Sequence, residues 1–294
     1  MKNKYIKSLG GEKDEEVLGS TGRIVSTEES SKDAWQTSLR PQRLDDYIGQ
    51  TAFKNNLKVY IEAAKGRGES LDHVLLYGPP GLGKTTMAKI IANELGSQFK
   101  VTSGPAIARP GELAAILTTL QEHDVLFIDE IGELDPMMLN KLLKVLEDKR
   151  VHFESAYYDE DAPGIPEYIR KLFKEGAPAD FILIGATTRD PSEINPAIRS
   201  RCAEVFFDPL QPEHVIEIVN HAAEKLKVHL DDGVARLISE YTMEGRKAVS
   251  LLADAYGLAV YEKGSADAPV ITLDLMKKTA MASRLSPWYD KVAS

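Results

Sequence analysis

The first 38 or so residues show no apolar periodicity, and from Leu39 onward short apolar runs alternate with helical patterns. The short runs at 73–77, 99–102, 125–128, 181–184 and 203–207 are read as buried strands of a sheet covered on both faces. Between them, apolar positions recur at helical spacing and predict helices over 52–65, 85–95, 111–120 and 136–148. Alternation of this kind predicts an α/β fold, a doubly wound parallel sheet. After Pro209 the strand signal stops, and helices are predicted over 213–226, 233–241, 247–261 and 273–283. The pattern divides the chain into a polar tail over 1–38, an α/β domain over 39–210 and a small all-helical domain over 211–294.

Length agrees with this division, because 294 residues exceed what one core usually supports. A composition of 43% hydrophobic and 28% charged residues excludes disordered and fibrous classes for the chain as a whole. No stretch approaches the roughly 18 apolar residues of a membrane span, and the opening MKNKYIKSLGGEKDEEV has no apolar signal core. A cytoplasmic protein without membrane contact is expected. The single cysteine, Cys202, has no internal partner, and the six histidines lack metal-ligand spacing, which sets aside structural zinc and redox chemistry. A net charge of -9 argues against coating nucleic acid by charge alone, so action on DNA would require a local patch or a docking partner.

Chemistry is concentrated at Gly78-Pro79-Pro80-Gly81-Leu82-Gly83-Lys84-Thr85, which fits G-x-x-x-x-G-K-[ST] between a predicted strand and a predicted helix. Glycines there allow backbone N–H groups to wrap phosphates, Lys84 reaches the terminal phosphates, and the Thr85 hydroxyl can ligate magnesium. Downstream, the strand at 125–128 ends in Asp129 and Glu130. Asp129 is placed to hold the magnesium shell and Glu130 to polarise the attacking water, although paired acids after a strand can also be a solvated helix start. The expected cofactors are ATP and Mg2+.

These motifs are similar to those of the AAA+ ATPases, and two families within them share the text. Residues 24–131 resemble the RuvB Holliday-junction branch-migration motors through Leu39-Arg40-Pro41, Asp45-Asp46-Tyr47-Ile48-Gly49-Gln50, 73–86 and Thr102-Ser103-Gly104-Pro105-Ala106-Ile107. From about Asp129 to the end, the chain resembles the ATPase part of LonB-type Lon proteases through Ile131-Gly132-Glu133-Leu134, 142–148, Ser155-Ala156-Tyr157-Tyr158, 176–189 and 194–207. The two texts meet at the Walker B strand, and the chain reads as a mosaic.

Either resemblance implies further site residues. Thr86 extends the phosphate site, and Gly185-Ala186-Thr187-Thr188-Arg189 occupies the position of a polar γ-phosphate sensor, with Thr188 favoured over Thr187. Ile198-Arg199-Ser200-Arg201-Cys202 resembles the segment carrying an arginine finger, with Arg201 as the finger; the bland alternative is a basic helix end that suits the helix dipole. A working finger implies a ring, in these families a hexamer. Arg246, in Gly245-Arg246-Lys247-Ala248-Val249, would be a second sensor reaching down from the lid. The RuvB resemblance alone implies an adenine-side segment at Leu39, Arg40, Tyr47 and Ile48, where Tyr47 and Ile48 can equally be ordinary core.

Three kinds of work remain open. The RuvB resemblance implies branch migration on junction DNA in recombination, with a junction-binding partner. In that family a β-hairpin between Walker B and the first sensor docks the partner, whereas 151–180 is Lon-like here, and no winged-helix text follows the lid. The Lon resemblance implies a protein-unfolding motor, yet no Ser-Lys protease text follows, and 102–124, where Lon-like motors carry an aromatic pore loop, contains no aromatic residue. A third reading is a nucleotide-dependent switch that translocates nothing. The nucleic-acid reading is favoured narrowly.

Overall fold

The computed structural model describes residues 39–68, 70–152, 174–263 and 269–285, with the single positions 167, 171 and 287. The tail over 1–38 and the Lon-like Ser155-Ala156-Tyr157-Tyr158 lie outside the described residues. Five strands, β1 (His73–Tyr77), β2 (Phe99–Ser103), β3 (Val125–Asp129), β4 (Ile182–Thr187) and β5 (Cys202–Phe206), form one parallel sheet in the order β2-β3-β4-β1-β5. Register is continuous across it: Phe127 lies opposite Ile184, Val74 opposite Ile184, and Leu75 opposite Glu204.

Strand side chains alternate between faces, so each central strand feeds two cores. Val74, Leu76, Phe127, Ile184 and Ala186 pack with Leu57 and Ile61 of α1 (Thr51–Arg67) and with Met87, Ile90 and Ile91 of α2 (Lys84–Leu95). Leu75, Tyr77, Leu126, Ile128 and Leu183 face the other way. They meet Leu113 and Leu117 of α3 (Pro110–Leu117) and Met138, Leu142 and Leu143 of α4 (Pro136–Asp148). With helices on both faces, the inner strands β1, β3 and β4 have no solvated side, which explains why their sequences lack polar alternation; the edge strands β2 and β5 are partly exposed, with Val101 and Phe206 open to solvent.

Local chemistry sets the helix ends. Asp135 caps α4 by accepting from Met137 N at 2.8 Å, with Pro136 in the first turn. Helix α3 stops at Leu117, short of the 120 expected, because the Thr118 and Thr119 hydroxyls bond back to the carbonyls of Ala114 and Ile116 in the last turn. A four-residue helix, α5 (Pro196–Arg199), was not expected; Asn195 caps it through Ala197 N at 2.8 Å.

Beyond β5 the chain is helical: α6 (Pro212–Leu226), α7 (Val234–Tyr241), α8 (Gly245–Lys263) and α9 (Leu273–Ala282). Val215, Val219, Ile238, Leu252, Ala255 and Met276 pack among these helices and continue the apolar cluster of the α1/α2 face. A two-residue parallel pairing of His229–Leu230 with Val270–Ile271 ties the helical part together. Among the described residues no helix is long and apolar enough to cross a membrane.

Candidate active site

The phosphate-binding motif occupies the turn between β1 and α2. Gly78, Gly81 and Gly83 have φ of 145°, 80° and 92°, a region that side-chain-bearing residues avoid. Space forbids a side chain as well: a Cβ on Gly83 would lie 2.5 Å from the Tyr47 hydroxyl. No side chain caps α2 at Gly83, so the first-turn N–H groups remain available to an anion. Pro79, Pro80 and Leu82 complete the loop, and Thr85 and Thr86 stand half-buried in the first turn of α2.

Lys84 is 7% exposed, and its ammonium donates to the carbonyls of Gly78 at 2.6 Å and Pro79 at 2.9 Å. Burial pushes its pKa below the ordinary lysine value, Glu130 and Asp129 pull it back up, and Arg246 lowers it again. The loop lysine, the acids and Arg246 therefore act on one electrostatic centre.

Asp129 ends β3, and its carboxylate accepts from Glu130 N at 3.1 Å. Glu130 adopts φ 47°, an uncommon left-handed conformation for a non-glycine residue at a strand tip. Its carboxylate lies 3.3 Å from the Thr188 hydroxyl and 3.4 Å from Thr188 N. Thr187 is buried; its hydroxyl accepts from Arg189 N at 3.1 Å and its carbonyl from Gly78 N at 3.3 Å. Of the two threonines, Thr188 faces the acid and Thr187 ties β4 to the phosphate loop.

Gly104 was missed from the sequence as a site residue because its importance is purely tertiary. A Cβ there would lie 2.4 Å from the Glu130 carbonyl oxygen and 2.9 Å from Leu134 N. Gly104→Ala is expected to destabilise the protein by about 1–3 kcal/mol through overpacking, read as a lower denaturant midpoint; an unchanged midpoint would show that the contact yields without strain.

From the helical part, Glu244 stands over the loop, with its carboxylate 2.8 Å from where a Cβ on Gly81 would be, and Lys247 pairs with it at 2.6 Å. Arg246 follows in the first turn of α8, close enough to act on Lys84. Among the adenine-side residues, Tyr47 is buried and donates from its hydroxyl to the Leu82 carbonyl at 2.8 Å, so its contact is with the loop backbone. Ile48 is half-buried beside it, and Leu39 and Arg40 lie half-buried at the chain's entry, where Lys225 of α6 donates to the Leu39 carbonyl at 3.1 Å.

Arg201 is brought elsewhere. It immediately precedes Cys202, which pairs with His73 at the start of β1, whereas the phosphate loop follows Tyr77 at the end of that strand. A five-residue strand separates the two by about 16 Å at ~3.3 Å per residue, too far for Arg201 to touch phosphates held by its own chain. Arg199 is locked within its chain, reaching the Glu204 carboxylate at 2.7 and 3.2 Å, and the Tyr77 hydroxyl donates to the same carboxylate at 2.8 Å. Burial raises the Cys202 thiol pKa to about 12, which leaves it protonated at neutral pH.

No group of three or more His, Cys, Asp or Glu side chains that could hold a metal ion occurs among the described residues. The donor set at the loop, a threonine hydroxyl and one strand-end carboxylate, suits a magnesium ion that takes most of its ligands from phosphate and water. A glycine loop after β1, paired acids at the end of β3 and a polar end on the central strand β4 between them define a P-loop nucleotide-binding fold. Helices that return Arg246 to the loop place it among the AAA+ ATPases.

The chain belongs to the RuvB family, whose Holliday junction DNA helicase RuvB P-loop domain matches residues 39–206. That match continues past Asp129, where the two resemblances read from the sequence meet. The chain is 46% identical to the Holliday junction branch migration complex subunit RuvB of Paramagnetospirillum magneticum, over 67% of this chain and 54% of that protein. It is 36% identical to Lon protease 2 of Bacillus subtilis, over 86% of this chain and 51% of that one. The chain thus spans about half the length of these relatives. The Thermotoga maritima RuvB Holliday junction branch migration motor superposes with a TM-score of 0.68 at 37% identity, covering 83% of this chain and 72% of the other.

Proposed function

We propose that residues 39–210 bind and hydrolyse ATP with Mg2+, that residues 211–294 act as a lid, and that a ring of such chains, a hexamer, drives branch migration of DNA junctions. The observation that carries the hydrolytic part is the Glu130 carboxylate, held at the strand tip beside the Thr188 hydroxyl and within the electrostatic reach of Lys84. In this reading the loop amides and Lys84 grip the phosphates, and Thr85 and Asp129 hold magnesium. Glu130 orients and polarises the attacking water, Thr188 reports the γ-phosphate, and Arg246 closes on it from the lid. Arg201 serves the site of the adjoining copy, since its own site is out of reach. Leu39, Arg40, Tyr47 and Ile48 border the adenine.

The DNA reading rests on the RuvB family match across most of the α/β part. A protein-unfolding reading is favoured by the Lon protease 2 match over 86% of the chain. Adding four-way junction DNA, linear duplex or an unfolded protein to the ATPase assay separates them. Stimulation by junction DNA of several-fold above linear duplex is the expected result. Stimulation by unfolded protein alone would transfer the assignment to Lon-like work, and no stimulation by any of the three would favour a nucleotide switch.

A further inference from the structure

The guanidinium of Arg201 is gripped by its own chain in a way that neither motif nor fold requires. One terminal nitrogen donates to the Ala197 carbonyl at 2.7 Å, and the other forms an ion pair with Glu147 in the last turn of α4. A guanidinium offers five N–H donors in a rigid plane, so two anchors fix that plane and still leave donors free. The Arg201 side chain is 31% exposed and that of Glu147 53%, which places the pair at the surface. Helix energetics do not account for Glu147: a carboxylate in the last turn opposes the helix dipole, and that turn carries no basic residue. Helix α4 is well anchored, with Asp135 capping it just after the Walker B acids and Met138, Leu142, Leu143 and Val145 buried beneath it.

We propose that Glu147 is a positioning residue, holding the Arg201 guanidinium at the orientation in which it reaches the phosphates of an adjoining copy. This rests on Arg201 being a finger that acts in trans. Glu147 touches neither nucleotide nor reacting atoms. Its effect is therefore on the hydrolytic rate of the neighbour's site, and ATP affinity stays as it was. Removing an orienting contact while leaving the guanidinium in place costs less than removing the guanidinium: about tenfold in kcat is expected for Glu147→Ala, against about 10³-fold or more for Arg201→Ala. Glu147→Gln keeps an acceptor oxygen for the guanidinium and is expected to fall between Glu147→Ala and the unsubstituted protein.

The test measures kcat and KM for ATP in the full chain and in mixtures with Glu130→Gln protein, which still carries an intact Glu147 and Arg201. Mixing should restore turnover per competent site in Glu147→Ala, as it should in Arg201→Ala, because the defect lies in what a chain gives its neighbour. Unchanged kcat in Glu147→Ala beside an inactive Arg201→Ala would overturn the assignment of Glu147 and leave the finger in place. So would a fall that the Glu130→Gln partner cannot restore while Arg201→Ala is restored. Normal turnover in Arg201→Ala, or no restoration of either variant, would overturn the trans finger itself and the role of Glu147 with it.

Discussion

Glu130→Gln protein should bind ATP with magnesium as tightly as the unsubstituted chain while turning it over about 10²–10⁴-fold more slowly, the usual worth of a positioned general base. The substitution preserves size and can keep the contact with Thr188, since an amide also meets its hydroxyl and N–H at the observed 3.3 and 3.4 Å. What it removes is the negative charge that pulls up the pKa of Lys84 and, in the proposed role, polarises water. A nucleotide-binding titration together with single-turnover hydrolysis reads the two effects separately. Turnover at the unsubstituted rate would exclude Glu130 as the residue that activates water.

Lys84→Ala should act at the earlier step. Hydrogen bonds involving a charged partner are worth about 1.5–3 kcal/mol each, so losing the ammonium is expected to raise the Kd for ATP by at least about 100-fold, at ~1.4 kcal/mol per tenfold. Folding should survive. The pKa of Lys84 lies below the ordinary 10.5, so its protonated form is less favourable in the folded chain than in the unfolded one. Between the lowered value and 10.5 the unfolded chain binds more protons, and this group's destabilising contribution is relieved as pH rises through that window. In Lys84→Ala that contribution disappears, which offsets the lost bonds to Gly78 and Pro79. The melting midpoint should therefore stay within a few degrees at neutral pH; unimpaired ATP binding would remove Lys84 from the phosphate site.

Legibility in the sequence followed the range of the forces involved. The three inner strands β1, β3 and β4 could be read because each is buried on both faces and so almost wholly apolar, whereas the edge strands β2 and β5 are partly exposed and carry polar residues such as Lys100 and Glu204. The phosphate loop could be read because positive φ at Gly78, Gly81 and Gly83 is a local demand that glycine alone meets without strain. Between Thr187 and Thr188 the choice turned on where β4 ends. Thr187 is the last strand residue and fully buried, which leaves Thr188 at the tip beside Glu130. Gly104, Glu147 and Glu244 were invisible, since each matters through a neighbour distant in the chain: the Glu130 carbonyl, Arg201 and Gly81. Helix α5 is too short for any periodicity to register, and two-residue pairings such as His229–Leu230 with Val270–Ile271 carry no alternation to detect.

The order of the sheet also dictates how the protein must be born. Strands β1, β2 and β3 leave the ribosome first, yet β1 and β3 do not touch; the strand between them, β4, begins only at Ile182. Until that keystone is synthesised, β2 and β3 can pair only with each other and β1 has no partner, so apolar edges stay open, and the contacts that finally join β1 to the sheet span more than a hundred residues. A nascent chain halted short of Thr187 would therefore carry the complete phosphate-loop sequence without a sheet to hold it in shape. Such a chain is prone to aggregate, a hazard that growth temperature and chaperone supply should modulate.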